Sequence, residues 1–213
     1  MTVDLTKLQE INKNLDFYKE SSLLIVTKNQ SIDDISALIA MGYTNFGENR
    51  VQEAQLKFQP IINKHKISLH LIGSLQTNKV KSALSLFDTI QSIDRISLVD
   101  EIHKNFLNEK KLIRTKDFFI QVNIGNEKQK SGVNINNLSE LYHYCREKQI
   151  NILGLMCIPP NDTNTEAYFQ EMNVLKQKIN PSLKLSMGMS GDYMLALKKN
   201  SNLIRIGSLI FKQ

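Results

Sequence analysis

Three groups of residues in this sequence are of types that could do chemistry together. The first is Lys28, which closes the aliphatic run Leu23-Leu24-Ile25-Val26-Thr27. The run is short and rich in branched side chains, the pattern of a strand buried on both faces. Strand side chains alternate, so Leu24, Val26 and Lys28 share one face. A lysine on the inner face of a buried strand is costly unless paired or neutralised. Chemistry offers one escape, because a desolvated lysine amine forms Schiff bases with carbonyl compounds. The ordinary alternative is a lysine that ends the strand and snorkels to water. From this stretch alone both readings stand.

The second group lies in Leu203-Ile204-Arg205-Ile206-Gly207-Ser208. Here Leu203, Arg205 and Gly207 share one face, while the two isoleucines suit a side packed by helices. Arg205 is thereby turned inward, where it keeps its charge and needs an acceptor. An internal ion pair with Glu48 or Asp94 would supply one. The third group is Ser186-Met187-Gly188-Met189-Ser190-Gly191-Asp192 together with Gly207-Ser208. Glycine lets backbone approach a ligand closely, and Ser190 as a helix N-cap would aim free amides at an anion. A loop of glycine and serine is a weak signal alone, since ordinary helix entry uses the same residues.

The elements that must position these groups alternate regularly. A helix is expected from Asp4 to Tyr18, with Leu5, Leu8, Ile11 and Leu15 at helical spacing. Strands are expected at 23–28, 44–47, 69–73, 89–93, 118–124, 152–158, 183–187 and 203–211. Helices fill the intervals at 31–40, 48–62, 78–87, 96–108, 138–148, 165–179 and 190–198. The first of these opens on Ser31-Ile32-Asp33-Asp34, which resembles a capping box. Strict alternation implies parallel strands, and eight such units suggest a closed (β/α)8 TIM barrel. The chain thus reads as one domain over residues 1–213, with one extra N-terminal helix. A doubly wound open sheet ranks second, because no Gly-x-Gly-x-x-Gly follows the first strand.

Active sites of such barrels lie at the C-terminal strand ends. There the sequence places Lys28, Glu48-Asn49, Gly73-Ser74, Gln121, Asn123, Ser186 and Arg205 to Ser208. Barrel closure makes the eighth strand a neighbour of the first, so Lys28, Arg205 and the glycine-serine loops would surround one space. An aldehyde at one corner, a ring nitrogen opposite and a phosphate arm match that arrangement. Pyridoxal phosphate is such a ligand.

Composition narrows the function classes. Of 213 residues, 41% are hydrophobic and 23% charged, an ordinary globular balance. The net charge of +6 comes from lysines scattered among acidic residues, for example in 108–111, without interleaved aromatics. Such a bias describes solvated helix faces better than a nucleic-acid stripe. Cys145 and Cys157 are too few for a disulfide framework, and His65, His70, His103 and His143 have no metal-ligand spacing. No apolar run reaches the roughly 20 residues of a membrane span, and the start lacks a signal peptide's charged and apolar regions. A cytoplasmic protein is expected.

At these residues the sequence closely resembles the pyridoxal phosphate homeostasis proteins, relatives of the N-terminal barrel domain of alanine racemase. The resemblance covers nearly the whole chain. It rests on Val26-Thr27-Lys28, on Phe46 to Glu53, on His70 to Lys79, and on Gln121-Val122-Asn123 with Lys130-Ser131-Gly132. It continues through Gly154-Leu155-Met156, Leu185 to Ser190, and Arg205 to Ser208. The resemblance implies that Lys28 is the Schiff-base lysine and that Arg205 faces the pyridine nitrogen. It also implies that Ser186, Ser190, Gly207 and Ser208 serve the phosphate and that Asn49 lies beside the ring. Proteins of this family look like monomeric carriers that balance the cofactor pool for pyridoxal-phosphate-dependent apoenzymes, without established turnover. An amino-acid racemase of the same fold is the enzymatic alternative, and a phosphate-binding barrel unrelated to the cofactor is a third. One departure stands out: the family pattern places a glycine after Ile210-Phe211, where this chain continues as Lys212-Gln213.

Overall fold

The computed structural model describes residues 3–108 and 112–211. Residues 1–2 of the N-terminal stretch 1–5 read for a leader, the charged residues 109–111 and the Lys212-Gln213 departure lie outside the described residues. The eight strands are β1 (Ser22–Val26), β2 (Asn45–Glu48), β3 (Ser68–Leu71), β4 (Thr89–Ile93), β5 (Asp117–Val122), β6 (Ile152–Cys157), β7 (Lys184–Ser186) and β8 (Leu203–Ile206). They close in sequence order into a parallel barrel, with β8 beside β1. The expected (β/α)8 architecture is therefore present.

The helices are α1 (Leu5–Phe17), α2 (Ile32–Ala40), α3 (Val51–Phe58), α4 (Val80–Leu86), α5 (Ile96–Asn108), α6 (Leu138–Glu147), α7 (Thr165–Ile179) and α8 (Tyr193–Lys198). Each of α2 to α8 follows one strand. No helix follows β8 among the described residues, and α1 stands in that slot. Asn14 of α1 donates to the Tyr193 hydroxyl at the start of α8, and Asn12 donates to Tyr43 just past α2. The Asp4 amide donates to the Ile210 carbonyl, and Val3 bridges Phe211, tying the chain's two ends together. Leu8 and Ile11 of α1 are buried, worth about 2 kcal/mol each as area removed from water. The N-terminal helix is thus less an addition than a replacement.

Local chemistry explains the element starts. The Ser31 hydroxyl accepts the Asp34 amide at 3.1 Å, as the capping pattern predicts. The eighth strand is shorter than expected, because the Ile210 and Phe211 amides turn back to the Gly207 carbonyl. Two apolar layers result. One large cluster joins the outer strand faces to the helices, as where Phe46 meets Phe58 at 5.7 Å. A small one, Leu24, Val26, Ile72 and Leu203, lies inside the barrel. Much of the remaining interior is polar, which is unusual for a space that barrels normally fill with branched aliphatics.

Candidate functional site

A cavity of about 660 Å³ opens at the C-terminal strand ends. Lys28, Asn49, Ser190, Arg205, Gly207 and Ser208 all line it, together with Val26, Gly73, Ser74 and Gln121. Six of the seven residues singled out by sequence therefore meet in one space. Ser186 does not. It is fully buried below the cavity, where its hydroxyl donates to Gln91 Oε1 at 2.7 Å and accepts Arg205 at 2.9 Å.

Lys28 lies two residues beyond the end of β1 and is exposed. Its side keeps the parity of Val26, which lines the same cavity. Of the two readings of this stretch, the exposed one holds: the strand ends at Val26, and Lys28 stands at the cavity mouth. Its flanks are held firmly. The Thr27 amide extends the β1–β2 ladder to the Gly47 carbonyl, and its hydroxyl donates to Glu48 Oε1 at 2.6 Å. Asn29 takes the left-handed conformation, φ 60°, and its amide donates to Glu53 Oε1 at 2.6 Å.

Arg205 pairs in register with Leu24 of the inner cluster, which turns its guanidinium into the barrel. Neither foreseen ion pair forms. Glu48 projects outward, its carboxylate 2.6 Å from Lys57 of α3, and Asp94 is bonded to Arg95. Instead Arg205 donates to the Ser186 carbonyl at 2.6 Å, the Cys157 carbonyl at 2.7 Å and the Ser186 hydroxyl. Those acceptors are neutral and use three of five guanidinium N–H groups. Burial pulls the Arg205 pKa down, but an arginine remains a cation. Its charge is left without a carboxylate partner at 4 Å among the described residues.

The hydrogen bonds continue away from Arg205 in one direction. Ser186 donates to Gln91, and Gln91 Nε2 lies 2.9 Å from His70 Nδ1. With Gln91 donating, Nδ1 accepts and His70 carries its proton on Nε2, which faces Ser68 Oγ at 3.0 Å. Burial lowers the His70 pKa to about 4, so the ring is neutral near pH 7. Sequence reasoning missed this chain, because Gln91 and His70 carry no local signal.

The loops after β7 and β8 form the remaining wall. Ser190 is not a helix cap: α8 begins at Tyr193, and the Ser190 hydroxyl accepts the Leu209 amide from the neighbouring loop. The backbone amides of Ser190, Gly191 and Ser208 donate to no acceptor of the described chain. Three free N–H groups beside a buried cation suit an anion. A Cβ on Gly73 would lie 2.2 Å from the Asn49 carbonyl oxygen, so only glycine lets these two loops meet and hold Asn49 at the wall. Gln129, Lys130 and Ser131 line the opposite side, with Lys130 paired to Glu127. Asn123 does not join them; its amide group holds its own loop through Glu127 and Lys130. The site thus offers a primary amine, a buried cation with spare donors, and unpaired amides. It suits a ligand with a carbonyl, a neutral lone pair and an anionic arm.

Residues 6–213 match the model of the alanine racemase N-terminal domain family. The chain is 36% identical over 200 residues to the pyridoxal phosphate homeostasis protein of Aquifex aeolicus, covering 90% of this chain and 86% of that one. The chain belongs to the pyridoxal phosphate homeostasis protein family. A similar solved structure is PipY of Synechococcus elongatus PCC7942, described as a COG0325 family member. In its form without PLP it superposes with a TM-score of 0.86 at 30% identity, over 97% of this chain and 98% of that one. The form with PLP bound gives 0.84. Alanine racemase from Acinetobacter baumannii shares the fold at 16% identity, TM-score 0.75; the match covers 97% of this chain and 61% of the racemase.

Proposed function

We propose that this chain binds pyridoxal phosphate and holds it in reserve for apoenzymes that require it, within the cytoplasm and as a monomer. Lys28 would hold the ligand through its amine, which could condense with the aldehyde to one C=N bond with loss of one water. When bound, the cofactor supplies an aldehyde and an electron-withdrawing ring. Everything else comes from the protein. Arg205 donates a spare N–H toward the pyridine nitrogen, and its positive charge disfavours protonation there. The free amides of Ser190, Gly191 and Ser208, with Gly207 leaving room for close approach, take the phosphate. Asn49 borders the ring.

The observation that carries this reading is that Lys28 and a buried Arg205, whose direct hydrogen-bond acceptors are all neutral, line one cavity. A phosphate-only barrel has no use for that arginine, whose bonds run to carbonyls on the side away from the opening. No tyrosine lines the cavity among the described residues, which leaves a racemase without the opposing acid it would need. An unprotonated ring nitrogen also weakens the electron sink, which suits storage over turnover.

The test is borohydride reduction after incubation with pyridoxal phosphate. Wild type should gain a phosphopyridoxyl mass on Lys28 and an absorbance band that Lys28→Ala lacks. A colourless, unmodified wild type sinks the proposal. Rapid exchange of an amino acid's α-proton with deuterium from solvent would favour the racemase.

A further inference from the structure

Lys28 is exposed and stands on a loop, so the direction of its side chain is set by the two peptide units beside it. Both are gripped from outside the barrel. The Lys57 ammonium of α3 donates to the Thr27 carbonyl at 2.7 Å, to Glu48 Oε1 at 2.6 Å and to Glu53 Oε1 at 2.7 Å. Three acceptors match the three N–H donors of an ammonium. Each carboxylate oxygen then does a second task on one side of Lys28. Glu48 Oε1 accepts the Thr27 hydroxyl, and Glu53 Oε1 accepts the Asn29 amide. The side chains of Lys57 and Glu48 are 11% and 0% exposed, so water does not substitute for these bonds.

The geometry points to Lys57 as a positioning residue for Lys28, locking Thr27 and Asn29 through Glu48 and Glu53 so that the Lys28 amine is delivered into the cavity. This rests on Lys28 being the covalent attachment point. Several features make the grip directional. Asn29 is held at φ 60°, a conformation that residues other than glycine seldom adopt without support. The Thr27 carbonyl also accepts the Gln30 amide at 3.0 Å, closing a tight turn around Lys28. Glu53 is drawn below the usual carboxylate range by Lys57 and the Asn29 amide, while burial pushes Glu48 above it. Holding a reacting amine near its target supplies rate and affinity that a freely swinging side chain loses. Lys57 does not line the cavity. Any influence it has on the cavity runs through Lys28.

The test compares two ligands. Pyridoxal phosphate carries the aldehyde; 4′-deoxypyridoxine 5′-phosphate has the same ring and phosphate but nothing for an amine to attack. Affinities are measured for wild type, Lys57→Met, Glu53→Gln and Glu53→Ala, with urea melts confirming that each is folded. In Lys57→Met the affinity for the aldehyde should fall about tenfold more than that for the analogue. Glu53→Gln keeps an oxygen for the Asn29 amide and should recover most of the loss seen in Glu53→Ala. Should Lys57→Met fail to fold, the two Glu53 variants decide, since that side chain is 26% exposed. Equal losses for both ligands, or an unchanged ratio, overturn the positioning role while leaving a wild-type adduct on Lys28 intact. A wild type without any adduct overturns both readings.

Discussion

Two cations sit on either side of the barrel wall, Arg205 buried and Lys57 partly buried, and they are solvated in opposite ways. Lys57, outside, meets two carboxylates and a carbonyl, and each of its N–H groups is used. Arg205, inside, meets two carbonyls and a hydroxyl, none of them charged. The first arrangement uses every ammonium donor and ties structure together, although Glu48 Oε2 stays buried without a partner. The second leaves spare N–H donors of a cation at the cavity, with only neutral atoms as direct acceptors.

The comparison breaks if the two cations respond alike to removal. Lys57→Met strands two acidic side chains, one fully buried, and should destabilise the fold by about 3 kcal/mol in urea denaturation. A loss below about 0.5 kcal/mol would mean that the carboxylates find other partners.

The inner network gives an effect of similar size through pH. His70 has its pKa lowered to about 4 in the folded state against 6.5 unfolded. Below pH 6.5 the unfolded chain takes up a proton that the folded chain refuses, so stability falls between pH 6.5 and 4 and then levels. The full drop is about 3 kcal/mol from this group. His70→Gln should flatten that part of the stability profile, and an unaltered profile would disconnect His70 from it.

Arg205→Met should behave in the reverse sense to Lys57→Met. It removes an uncompensated charge, so binding should suffer more than folding. An affinity loss of about 2 kcal/mol, or roughly 30-fold, is expected in an absorbance titration with pyridoxal phosphate. A large loss of stability with unchanged affinity would exchange the roles of the two cations.

Glu48→Gln is the smallest change. Burial raises this carboxyl's pKa, so its contribution is intact at low pH and is lost as pH rises through the folded value. The glutamine variant should lose that fall, and a steeper one would show that the carboxylate is stabilised.

Much of the site was legible from the chain. Alternating strands and helices, with Val26, Lys28 and Arg205 at particular parities, follow from the two-residue period of a strand. Glycine and serine at strand ends follow from the demands of turns and close approach. Reading Ser186 as a phosphate ligand went astray because it lies at the strand's last position, and parity turns it inward beneath Arg205. Reading Ser190 as a cap went astray because α8 starts at Tyr193 and its loop is bonded across to Leu209. The ion pairs imagined for Arg205 failed because Glu48 faces the helices.

By itself, then, the sequence determined the period, the number of units, the inward side of Arg205 and the residues that gather at one barrel end. Those are local properties, set by alternation and turn chemistry over a few residues. Only the closed barrel decided which charges meet. Arg205 bonds Cys157, 48 residues away, and Ser186 bonds Gln91, 95 residues away. Lys57 reaches back across 30 residues to Thr27. No local pattern encodes such partners, because an acceptor is chosen by where the fold brings it and by what else has been desolvated beside it.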